Sequence, residues 1–162
     1  MHYLLKQKAF SFGDDFVIKN ESGEEIFYVD GKAFTLAEKL IFQDMSGNEL
    51  AYIKQTILSI GTNYEIYRNG RLLATMHKSM LDFLRESFSI TGSAGDIAVQ
   101  GNLAHNEYTF TRGDRNVATV SKHWMAMTDT YDVDIVDGED DILILACAVV
   151  IDMVCHPDHK NK

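Results

Sequence analysis

Polar and apolar residues alternate along many short stretches of this chain. In Phe16-Val17-Ile18-Lys19, Tyr64-Glu65-Ile66-Tyr67-Arg68 and Val117-Ala118-Thr119-Val120-Ser121, one parity is more apolar than the other. Successive side chains of a strand point to opposite faces, so this pattern predicts strands with one face on a core and one in water. The stretches come in pairs broken by a glycine turn. DFVIKNESGEEIFYVDG turns at Gly23, LIFQDMSGNELAYIKQT at Gly47, NYEIYRNGRLLATMHKS at Gly70 and EYTFTRGDRNVATVSKHW at Gly113. Asn69-Gly70 is the strongest two-residue hairpin signal among them. The turn glycines lie about 24 residues apart, with one gap nearly double, and FSITGSAGDIAVQG fills that gap as a degenerate unit. One hairpin repeated in this way gives about twelve strands. A short helix, or alternatively a strand, is expected near Ser79 to Arg85.

A fifth unit, YDVDIVDGEDDILIL, starts at Gly138, but its second half changes character. Ile142 to Cys155 reads ILILACAVVIDMVC, apolar on every side except at Asp152. Its LACA core favours helix, and Asp140 or Asp141 supplies a cap. The acidic run Asp137, Glu139, Asp140, Asp141 suits the positive end of a helix dipole. A helix apolar all round must be buried all round. At roughly 21 Å it is too short to span a membrane. About twelve antiparallel strands curl and close, and closure removes exposed edges. A barrel of that size is too wide for its own side chains to fill, so the C-terminal helix is expected to thread it.

Composition then limits the functions. The chain has 162 residues, 46% hydrophobic and 24% charged, which suits one globular domain. Residues 1–156 are expected to form it, with 157–162 a short polar tail. The formal charge is −9, which argues against nucleic acid as the main partner. Two cysteines cannot make a disulfide framework, and Cys147 and Cys155 read as core residues of the helix. The N-terminal run Tyr3 to Leu5 is too short for a secretion signal, so the expectation is a cytoplasmic protein.

The order of these features resembles the LURP-one-related family, whose fold is that of the tubby C-terminal domain. YLLKQKAFSFGDDFVIKNESGEEIFYVDGK resembles its first hairpin, and DMSGNELAYIKQ and YEIYRNGRLLATMHK its second and third. IAVQGNLAHNEYTF resembles the central pair, with Gly101-Asn102 at the turn, and VATVSKHWMAMTDTYDVDI with ILILACAVVID the closing segment. The resemblance implies a twelve-stranded barrel around a buried helix. It implies no known reaction. Tubby domains bind phosphoinositides, and phospholipid scramblases are similar in fold, so an anionic headgroup is the ligand class the kinship suggests.

Anion binding needs clustered bases. Lys6 and Lys8 alternate on one strand face, and Arg68 and Arg71 flank the Asn69-Gly70 turn, so these four are the candidate ligand-binding residues, for a lipid headgroup or a phosphorylated small molecule at the barrel rim. A protein-interaction surface near Trp124, within His123-Trp124-Met125-Ala126-Met127, is the alternative. A hydrolase is the third reading. His77, His105 and His123 with Asp129 and Asp132 supply its groups, but no nucleophile elbow, P-loop or HExxH stretch accompanies them. GSAG at Gly92 to Gly95 lacks a lysine. Cys155, His156, Asp158 and His159 form a compact set with no second ligand cluster, and neither a metal nor a cofactor is expected. Asp152 is expected to be structural, held near one barrel mouth by a Lys, Arg, Tyr or backbone N–H.

Overall fold

A computed structural model of the chain describes residues 1–8, 15–31, 39–57, 61–79, 86–102, 106–123 and 129–155. The strands are β1 (His2–Gln7), β2 (Phe16–Lys19), β3 (Glu25–Asp30), β4 (Lys39–Asp44), β5 (Glu49–Ile57) and β6 (Thr62–Arg68). They continue as β7 (Arg71–Lys78), β8 (Ser87–Gly92), β9 (Ile97–Asn102), β10 (Glu107–Arg112), β11 (Arg115–Lys122) and β12 (Thr130–Ile135), followed by the helix α1 (Asp141–Cys155). Each strand pairs antiparallel with its neighbours in sequence, and β1 pairs with β12 to close the barrel.

Alternation decides what points inward. Tyr3 and Leu5 of β1, Leu40 and Phe42 of β4, and Val133 and Ile135 of β12 belong to one buried core. The helix fills the space these residues enclose. Every residue from Leu143 to Asp152 is buried, on all sides of the axis, which only an enclosed helix achieves. The helix starts one residue before the expected Ile142. Asp140 caps it, its Oδ1 accepting the backbone N–H of Leu143 at 3.1 Å.

The hairpin repeat is visible in the backbone. Asn69 and Gly70 both have positive φ, 51° and 73°, as a two-residue turn of primed type requires. The degenerate unit turns at Gly95, φ 93°. Gly101-Asn102 is not a turn but the end of β9. Gly101 is required there by space: a Cβ would lie 2.9 Å from Tyr108 Cε1 and 3.0 Å from the Glu86 carbonyl oxygen. The tail, the Trp124 segment, His105 and all but Ser79 of the expected short helix lie outside the described residues.

Candidate functional site

The alternation of strand connections gives the barrel two ends. At the end where α1 begins lie the turns at Gly23, Gly47, Gly70, Gly95 and Gly113. Here the acidic segment before the helix is gripped by arginines from those turns. Arg68 donates to both oxygens of Asp140, at 2.9 and 2.8 Å. Arg112 and Arg115 both reach Glu139, at 2.9 and 3.0 Å. The Tyr3 hydroxyl donates to Asp141 at 2.5 Å. Burial works against the charged form of Asp140, but Arg68 and the Leu143 N–H outweigh it, holding its carboxyl below the usual range.

At the other end the helix finishes among inward-facing polar groups. The Tyr131 hydroxyl donates to Asp152, whose side chain is buried within the barrel. Burial first, then the charge and hydrogen bond of Asp152, push the Tyr131 hydroxyl well above its ordinary value. Lys122 pairs with Asp129 at 2.8 Å and lies over the Tyr131 ring, 5.6 Å from its centroid. The Tyr108 hydroxyl donates to Glu86 at 2.5 Å. Asp15, also buried, accepts from the Tyr28 hydroxyl at 2.7 Å and the Gly31 N–H at 2.9 Å.

The four basic candidates do not form one site. Arg68 and Arg71 stand at the helix N-terminal end, and Arg68 is committed to Asp140. Arg71 is exposed on the turn. Lys6 and Lys8 stand at the opposite end, both exposed, while Leu5 just before them is in the core. Lys8 lies over the Tyr28 ring, 5.2 Å from its centroid. The neighbouring sector carries a row of half-exposed apolar side chains in direct register, Ile41, Tyr52, Tyr67 and Leu72 on β4 to β7. Tyr52 and Tyr67 stack at 4.8 Å, Lys39 lies over Tyr52, and Leu72 is 51% exposed. Sequence reasoning missed this row, because it is legible only once the strand register is known.

The groups named for hydrolysis are dispersed. His77 is bonded to Asn63 at 2.6 Å, Asp129 faces inward to Lys122, and among the described residues of this set only His123 and Asp132 meet. The serine beside them, Ser121, leans on Glu107 at 3.4 Å instead. Cys147 is buried, and burial raises its thiol. Cys155 is only partly buried and packs against the core, a correction to its reading as a core residue; burial and Glu86 push its thiol up to about 12, which disfavours the thiolate. Among the described residues no group of three or more His, Cys, Asp or Glu side chains could hold a metal ion. No helix there is long and apolar enough to cross a membrane.

A closed twelve-stranded barrel holding its own C-terminal helix defines the structural class. The chain belongs to the LURP-one-related family, whose model matches residues 1–152. It is 35% identical over 158 residues to the uncharacterised protein YxjI of Bacillus subtilis, covering 98% of this chain and 96% of that one. It is also similar in fold to a protein of Arabidopsis thaliana solved by X-ray methods. That match has a TM-score of 0.70 at 18% identity and covers 96% of this chain and 92% of the other.

Proposed function

We propose that the protein is a non-catalytic binding module of tubby-like fold that takes a phosphorylated headgroup or small molecule at the rim beside Lys6 and Lys8. The observation that carries this reading is that Lys6 and Lys8, two residues apart, are both exposed at the end of β1, with the Lys8 ammonium over the Tyr28 ring. Lysine binds phosphate as a flexible point charge, and tyrosine gives such a site an apolar wall with a polar tip. Arg68 is dropped from the candidate set because Asp140 already occupies its guanidinium. Arg71 stands too far round the barrel, at the other end, to share a ligand with the lysines. The net charge of −9 makes the reading a local one, with little long-range attraction.

The test is vesicle co-sedimentation at low salt, with vesicles carrying phosphatidylserine or a phosphoinositide, and soluble inositol phosphate as competitor. Each lysine near an anionic surface is worth about 1 kcal/mol, so Lys6→Glu with Lys8→Glu should weaken binding by 30-fold or more, to order of magnitude. Arg71→Glu should change little. Displacement by inositol phosphate would mark a headgroup pocket, and binding that ignores the lysine changes would end the proposal.

The register row Ile41, Tyr52, Tyr67, Leu72 favours a second reading, a protein-contact surface. A Tyr67→Glu change that leaves vesicle binding intact but removes a reproducible protein partner would select it.

A further inference from the structure

The barrel closes where β1 meets β12, and the outward positions of that seam bring together side chains from opposite ends of the sequence. His2 stands opposite Asp134 in the register, and Asp132 lies two residues away on the same face of β12. His2 Nδ1 is 2.8 Å from Asp134 Oδ1, and His2 Nε2 is 3.3 Å from Asp132 Oδ1. His123, just beyond β11, brings its Nε2 to the other oxygen of Asp132. A neutral imidazole has one N–H and one lone pair, so a neutral His2 sets its lone pair against a carboxylate oxygen. An imidazolium donates at both nitrogens and has no such conflict. The hydrogen bond to Asp134 raises the His2 imidazole most. Burial opposes it, and the charges of Asp134, Asp132 and Glu21 add to it, so the ring is held above its ordinary value of 6.5. The other charges at the seam have partners of their own. Lys19 of β2, beside Leu4 in the register, is 3.9 Å from Glu25. The Met1 ammonium donates to the Ile135 carbonyl and is 3.5 Å from Asp137.

We propose that the His2 imidazolium is a proton-operated latch on the β1–β12 seam, bridging Asp132 and Asp134 at mildly acidic pH and releasing the start of β1 as pH rises. The direction follows from linkage. A base held above its unfolded value contributes fully below that value, about 6.5 for histidine, and the contribution is lost as pH rises through the folded value. Once His2 is neutral, Asp132 and Asp134 share one N–H from this ring where they shared two. The ladder from Tyr3 to Lys6 remains, so the seam loosens at one end while the barrel stays closed. The His2 side chain is 39% exposed, so protons reach it without unfolding. The seam thus responds in the range where histidine is the side chain that ordinarily titrates.

The test is an NMR titration of the full chain from pH 5 to 9, with amide exchange followed by residue. The His2 ring signals should titrate with a midpoint above 6.5, and Asp134→Asn should lower that midpoint. The Ile135 amide, which donates to the Met1 carbonyl at 2.8 Å, reports the seam beside His2. Its protection, corrected for the intrinsic pH dependence of exchange, should fall by about threefold or more between pH 6 and 8.5. In His2→Gln it should be low at both pH values. The Met1 ammonium is common to parent and variant, so the comparison isolates His2. Phe110, in β10 away from the seam, should keep its protection throughout. The proposal is overturned if His2 titrates at or below 6.5, or if it titrates high while Ile135 protection stays level. It is equally overturned if His2→Gln keeps the parent's pH dependence, or if Phe110 changes as much as Ile135.

Discussion

The two ends of the barrel solve the same problem by different means. Where the helix begins, the chain doubles back in short glycine turns, and side chains near the turns close on themselves. Asn20 Oδ1 accepts the N–H groups of Ser22 and Glu24 at 3.0 Å, and Asp44 Oδ1 those of Ser46 and Asn48 at 2.9 Å. Arginines then clamp the acidic segment, and its carboxylates lie at the positive end of the helix dipole. Charge is well placed there. At the far end the dipole is negative, and Asp152 sits against it. That end is held by neutral hydroxyl donors, Tyr131 to Asp152 and Tyr108 to Glu86, with Lys122 balancing Asp129. The lesson is that one end is an ionic clasp of partly exposed groups, while the other is a buried polar network with more to lose when a member is removed.

The middle of the helix belongs to neither end, and breaking it should have the largest effect. Leu145→Asp puts a lone charge in the core. The expected outcome is loss of the cooperative unfolding transition, seen by circular dichroism. Leu145→Ala should fold but lose about 2–5 kcal/mol in denaturant titration. Next comes the buried network. Asp152→Ala leaves the Tyr131 hydroxyl without this acceptor and should cost about 1–3 kcal/mol, with little dependence on salt.

The clasp should cost less and respond to salt. Arg68→Ala removes a two-pronged pair and exposes the cap, for about 1–2 kcal/mol at low ionic strength, shrinking as sodium chloride is raised. Equal salt dependence of Asp152→Ala and Arg68→Ala would erase the distinction between the ends. The smallest effect is on pH. Asp140 has a lowered pKa in the fold, so its contribution is present above the unfolded value of about 3.9 and is lost as pH falls through the lower folded value. Asp140→Asn should therefore be less stable than the parent near pH 6, and the gap should narrow below about pH 4. A constant gap from pH 6 to 3 would deny Asp140 that role.

Much of the barrel was legible because its signals are local. Asn69-Gly70 announces its own turn, alternation assigns Leu5 inward and Lys6 outward, and an apolar run with one acid announces a buried helix with its cap. Gly101 misled because a glycine beside an asparagine reads as a turn, while its true cause is the Tyr108 ring against its Cα, which is a tertiary fact. The ion pairs and the histidine cluster were not legible for the same reason. Arg68 and Asp140 are 72 positions apart, and His2 and Asp134 are 132 apart. Only closure of β1 onto β12 brings the second pair together. The spacing of Lys6 and Lys8 was legible, and both are exposed; that Arg68 was already spent could not be seen.

The central claim is that α1 threads the barrel and holds it. Native-state hydrogen exchange resolved by residue tests it most directly. The amides of Leu143 to Asp152 should exchange only on global unfolding, as slowly as those of Val133 and Phe110 in the wall. Early exchange of the helix amides, with the strand amides still protected, would show that the barrel stands without its helix and would contradict the account.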